Sequence, residues 1–246
     1  MKKWLSYAVS AVFWLSLWQI VHICVGHDIL IPSPLSVFER LFDFCKEAGF
    51  WLSVITSLFR VVSGLVIGTV LGAVVAVLTS ASPFLHSLFA PALHVIKATP
   101  IASFIILAIL WFTVENVPIF TAVLIVLPTV WANTEKGILS VDKDLIQIGK
   151  AFGLSKTERF LRITLPSVRP FFVAALNSAV GMAWKAGIAA EVICPYKDSI
   201  GSALHDSKIY FETVDTFAWT AAVVVLSVLL ERLILWLTKK GGRKNA

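Results

Sequence analysis

Residues 147–166 read QIGKAFGLSKTERFLRITLP, a polar and basic interruption in a chain that is otherwise mostly apolar. The local signals spell helix, break, helix. Ser140 is placed to cap the first helix, and Asp142 and Asp144 put negative charge near its N-terminal dipole. Leu145, Ile148 and Phe152 then recur at helical spacing on one face. Gly153 accepts the left-handed conformation that ends a helix at little cost. Ser155 and Glu158 stand three apart as a capping box, each satisfying a free backbone N–H of the other. A second short helix carries Phe160 and Leu161 and is expected to stop at Pro166. The product is a compact two-helix knob hinged at a glycine.

The flanks decide what kind of protein carries the knob. The chain has 246 residues, 58% of them hydrophobic and 15% charged, with a mean hydropathy of +0.85. So few charges cannot clothe a water-soluble surface. Apolar runs over about 4–26, 51–80, 83–112, 119–133, 171–193 and 217–237 give six expected spans. The first run exceeds a signal peptide's apolar core, and no small-residue cleavage site follows it. Gly64, Gly68, Gly72 and Ala76 repeat every four residues in the second span, and Ala175, Ala179, Ala183 and Gly187 in the fifth. Such stripes let helices approach closely. Arg60, towards one end of the second span, reads as a side chain reaching for the interface.

Net charge is +6, but the basic residues cluster at the two termini and in the knob, whereas 27–50 and 194–216 lean acidic. The positive-inside rule then puts both termini and the knob in the cytoplasm. The same clustering argues against nucleic acid as a partner. A DNA-binding helix–turn–helix would not be fenced by membrane spans on both sides. A plain solvated loop with inward positive charge remains the simplest alternative for the knob. Cys24, Cys45 and Cys194 show no metal-binding spacing and read as packing residues, with a Cys45–Cys194 disulfide as the other option. No nucleotide-binding glycine–lysine loop, zinc-protease helix or Cys-x-x-Cys occurs, and the five histidines are scattered. No catalytic set, metal site or cofactor is expected, so the chain reads as a non-enzyme.

The knob also carries a resemblance. Gly153, nine residues, then Ile163-Thr-Leu165-Pro166 resembles the "EAA" loop of bacterial ABC importer permeases. Lys97-Ala-Thr-Pro100, the Ile-Leu-Trp-Phe run at 109–112, Ala189-Ala190-Glu191 and Ser199-Ile-Gly201 resemble the nitrate/sulfonate/taurine branch. The usual Glu-Ala-Ala opening is replaced here by Gln147, Ile148 and Gly149. The resemblance implies an all-α, polytopic, type I importer permease: one transmembrane domain over 1–246, with a cytoplasmic coupling loop at about 138–166. It implies residence in the bacterial inner membrane as a homodimer, two copies of a separate ATPase, an extracytoplasmic substrate-binding protein, and alternating access for a small solute such as a sulfonate, taurine or nitrate. The residues it assigns to ATPase coupling are Gln147, Gly149, Ala151, Gly153, Leu154, Ser155, Glu158, Ile163, Leu165 and Pro166. A stand-alone secondary transporter or channel is the rival reading.

Polar groups inside the spans are the candidates for a translocation path. An unpaired cation within a span costs about 2.5–3.5 kcal/mol on insertion scales and is usually turned to a cavity or a partner. Lys185 therefore reads either as an attractor of anions or as the partner of Glu191 or another acid. Lys97 is a path residue or a lysine reaching for the interface. Thr99 sits beside it. Pro100 frees a backbone carbonyl that can line a path, or simply kinks its helix. Trp184 and Glu191 complete the set, Glu191 with a structural role as its alternative.

Overall fold

The computed structural model describes residues 2–243. The side chains of 1–4 and 239–246 lie outside that description, and with them the terminal basic clusters (Lys2 and Lys3; Lys239, Lys240, Arg243 and Lys244). Among the described residues every regular element is helical: α1 (Lys2–Val25), α2 (Pro34–Phe44), α3 (Ala48–Ala81), α4 (Pro83–Ala98), α5 (Ile101–Trp111), α6 (Val117–Leu139), α7 (Lys143–Ala151), α8 (Lys156–Arg159), α9 (Leu165–Ile193), α10 (Ile200–Ile209) and α11 (Thr213–Arg243). Five helical stretches are long and apolar enough to cross a membrane, and α4 with α5 makes a sixth if that bent pair is one span.

The contacts divide the chain into two compact units, residues 1–57 with 191–226 and residues 58–190 with 227–246. In the first, Ser33 caps α2 by accepting from Ser36 N–H at 3.1 Å, and Pro34 supplies the preset first turn. Arg40 makes a two-pronged bond to Asp215, both contacts 2.7 Å, and this carboxylate holds the guanidinium above even its usual high pKa. Phe44 and Phe50 stack on Trp219, at 4.9 and 5.1 Å between ring centres. The apolar side chains of α1 are largely exposed, as expected of a helix whose solvent is lipid. Cys24, Cys45 and Cys194 are free thiols, so the Cys45–Cys194 disulfide does not form.

In the second unit the glycine stripe of α3 packs on α6. A methyl at Gly64 would lie 2.7 Å from Ile119 O; at Gly72 it would lie 2.7 Å from Leu127 O and 2.9 Å from Val130 Cβ. Backbone cannot swing aside, so Gly72→Ala should destabilise the protein by about 1–3 kcal/mol. Thermal unfolding in detergent measures this, and a wild-type midpoint would mean the seam is looser than described. Beyond the stripe, Trp131 donates to Thr79 Oγ1 at 3.0 Å and packs with Ala76, Ala90 and Leu93. The stripe on α9 is buried too, with Gly187 close against Val61. Arg60 is buried rather than reaching for an interface.

Two expectations about proline need correction, and one about a cap. The segment expected as the third span is not a gently kinked rod. It is broken at Thr99–Pro100, with α4 and α5 inclined by 107°. Proline disfavours helical geometry in the residue before it, and Thr99 is accordingly extended (φ −78°, ψ 134°). Pro166, by contrast, does not stop the helix. A π turn, Phe160–Thr164, joins α8 to α9, and Leu165 N–H donates five residues back to Phe160 O. The wider turn puts Pro166 in the first turn of α9, where a missing N–H is harmless. Ser140 ends α6, its hydroxyl donating to Gly137 O at 2.9 Å. The residue next to the helix start, Asp142, caps α7 instead and accepts from Asp144 N–H at 2.8 Å.

Candidate functional site

The knob is built from a helix end that only one kind of residue satisfies cheaply. Gly153 has φ +75°. Its N–H donates to Lys150 O at 3.0 Å, and Leu154 N–H reaches back to Gly149 O at 2.9 Å. This is the paired Schellman closure of a helix C-terminus. The next residue starts the second helix: Ser155 Oγ accepts from Glu158 N–H at 3.2 Å, while Glu158 Oε2 accepts from Ser155 N–H at 3.0 Å. The predicted capping box is therefore present in both directions.

Stop and start signals on adjacent residues fold α7 back towards α8. Gly149 is buried where they meet. A methyl there would lie 3.0 Å from Ile163 Cδ1 and 3.2 Å from Arg159 Cγ, so glycine eases this contact. Gln147 and Ala151 are exposed, Ile163 is half-buried, and Leu165 and Pro166 are exposed at the start of α9. The other face of the knob is apolar yet uncovered. Leu145 is 47% exposed, Ile148 52% and Phe152 81%, on a loop that also exposes Lys143, Asp144, Lys150 and Lys156. An exposed apolar patch rimmed by polar residues marks an interaction surface.

A second candidate lies at the α4–α5 break. A cavity of about 350 Å³ is lined by Lys97 and Thr99, by Phe104 of α5, by Pro128 and Thr129 of α6, and by Met182 of α9. Lys97 is exposed. Thr99 Oγ1 donates to Val95 O at 2.8 Å, which leaves its oxygen free to accept. Pro100 precedes α5 and offers no side-chain cap, and Ser103 N–H donates instead to Pro100 O at 3.1 Å. On α9, Ser178, Met182 and Lys185 are exposed at helical spacing. Lys185 thus stands one turn beyond a residue that lines the cavity.

The structure places Lys97, Thr99 and Met182 around one cavity, with Lys185 one turn further along α9, and it separates the other two candidates by burial. Trp184 is 1% exposed. Glu191 is equally buried, and Ser57 Oγ donates to its Oε2 at 2.6 Å, as does Gly201 N–H at 3.2 Å. Met182 was missed by sequence reasoning, although its place one turn before Lys185 on the same helix face was there to be read. Ser57 lies 134 residues from Glu191, and no local pattern could have joined them. Among the described residues, no group of three or more histidine, cysteine or carboxylate side chains could hold a metal ion.

Comparison with known proteins meets this geometry from the outside. The nitrate import permease NrtB of Synechococcus elongatus is 29% identical over 204 residues, covering 78% of this chain and 73% of that one. The taurine transport system permease TauC of Escherichia coli is 23% identical over 233 residues, covering 92% and 84%. Among solved structures, a bacterial ABC transporter involved in the import of alginate superposes with a TM-score of 0.65 at 14% identity, over 97% of this chain and 96% of that one. That likeness is one of fold. The family described as the inner membrane component of binding-protein-dependent transport systems matches residues 50–240, and this multi-pass, all-helical chain belongs to that family.

Proposed function

We propose that the chain, acting as one domain over 1–246, is the translocation subunit of an ATP-driven importer for a small anion. Two copies would enclose the path, and two copies of a separate ATPase would grip the knob from the cytoplasm, where both termini also lie. An extracytoplasmic binding protein would deliver the solute. ATP hydrolysis then belongs to the partner, not to this chain.

The observation that carries this reading is the uncovered apolar face of Leu145, Ile148 and Phe152 on a glycine-hinged knob. A helix pair whose second member runs through the π turn into α9 can transmit a push from a bound motor to a span. Anion preference is supported by the broken third span. Lys97, the N-terminus of α5 and Lys185 each present positive potential, and broken helices in transporters use their N-terminal ends in this way. The named nitrate permease fits such a solute.

Isolation of the chain from its native membrane in mild detergent tests the motor, which should co-purify. Its repeated absence would favour a stand-alone transporter. For the path, Lys97→Glu is expected to lower anion uptake by about tenfold or more, equivalent to about 1.4 kcal/mol, with ATPase association unchanged. Uptake into proteoliposomes measures this. Undiminished uptake would move the path away from the α4–α5 break.

A further inference from the structure

A larger cavity, of about 920 Å³, lies where the π turn enters α9. Its volume is of the size that buries a whole small molecule, about 300–1,000 Å³. The walls are mainly apolar, with Ala73 and Val77 from α3, Ile138 from α6 and Leu161 from the π turn. Four polar side chains interrupt them, Thr134, Arg162, Thr164 and Arg169. Thr134 is 5% exposed, and its Oγ1 has no hydrogen-bond partner. Arg162 and Arg169 line the same space. Arg162 approaches Glu158 at 3.8 Å, too far for a hydrogen bond, and that carboxylate already serves Ser155.

A compact anion would use the two guanidiniums but leave the apolar walls uncovered, and an uncharged apolar guest would leave two guanidiniums unused. The chemistry fits an amphiphile with an anionic head. Basic pockets between membrane helices are known to take acidic head groups. We propose that this cavity holds one acidic phospholipid, its phosphate on Arg162 and Arg169 and an acyl chain along Ala73 and Val77, with Thr134 Oγ1 bonded to the glycerol region. The lipid would brace the π turn that joins the knob to α9. The site requires a bilayer but no ATPase, so it stands or falls independently of the importer reading.

Native mass spectrometry of the purified full-length chain, with whatever subunits accompany it, tests the site after detergent exchange. Phosphatidylglycerol and phosphatidylcholine are the probes. One phosphatidylglycerol per chain should survive exchange, bound at least about tenfold more tightly than phosphatidylcholine. Replacing both arginines, Arg162→Gln with Arg169→Gln, should erase that preference. Ala73→Phe keeps the arginines but fills the apolar wall, and should abolish retention. Val77→Phe is the second filling variant, for use if Ala73→Phe shifts the unfolding midpoint. Retention that survives a folded filling variant would mean surface attraction and overturn the cavity assignment. Displacement of phosphatidylglycerol by inorganic phosphate would overturn the lipid in favour of a compact anion. Cross-linking between two copies through Leu161→Cys, undiminished by phosphatidylglycerol, would make a second copy the occupant and overturn it too.

Discussion

Gly153→Val is expected to abolish most uptake and to uncouple ATP hydrolysis from it, while leaving membrane insertion intact. The argument is conformational. Gly153 sits at φ +75°, and a Cβ there would meet nothing within 4 Å, so crowding plays no part. Left-handed backbone costs an ordinary residue roughly 1–2 kcal/mol, and a β-branched one more. The turn at Gly153 is closed by two bonds, to Lys150 O and Gly149 O, which have little with which to offset that cost, so the hinge should open. About 2 kcal/mol corresponds to roughly a thirtyfold loss of the closed knob. A graded series separates this from general damage. Gly153→Asn should retain most uptake, since asparagine tolerates the left-handed region. Gly153→Ala should fall between, and valine lowest. Uptake and ATP hydrolysis measured in the same proteoliposomes should part company in that order. Normal transport by the valine variant would remove the hinge from the coupling mechanism.

The knob was legible because its determinants are local. A glycine at the helix end and a serine–glutamate pair three apart act through backbone groups a few residues away, and both appear as expected. The small-residue stripes were legible for a related reason: a four-residue repeat states that something must approach, though not what. Only the folded chain shows α6 against Gly64 and Gly72, and Val61 against Gly187. Proline was the weak point. Its effect depends on which backbone partner it removes, and that is set by the neighbouring geometry. At Pro100 the chain breaks outright, whereas at Pro166 a π turn absorbs the same defect. Charges within the spans were also ambiguous in isolation. Lys97 and Lys185 prove exposed and Glu191 buried, a distinction that follows from packing over distances no short motif encodes.

That packing yields the other large expected effect, at the start of α10. Gly201→Ala should prevent the protein from reaching its native packing. The added methyl would clash with Glu191 Cβ and lie 2.6 Å from Glu191 C and 2.7 Å from Val192 N. Two of those three are backbone atoms of α9 and cannot rotate away. The close approach exists so that the Glu191 carboxylate can hold the turn: it accepts from Gly201 N–H and from Ser57 Oγ, and Ser57 in turn accepts from Ile200 N–H at 3.0 Å. Removing the carboxylate leaves at least the Ser57 hydroxyl and the Gly201 N–H unserved, at about 1–3 kcal/mol each. Glu191→Ala should therefore cost several kcal/mol. Glu191→Gln, which keeps an acceptor oxygen but loses the charge, should cost less. Ser57→Ala should fall near Glu191→Gln, since it deprives Ile200 N–H and Glu191 of one bond each. Unfolding midpoints in detergent rank the four variants, and hydrogen exchange at the Ile200 amide reports on the turn itself. Wild-type stability of Gly201→Ala would show that α10 can stand away from α9, and the buried carboxylate would then need another reason to be where it is.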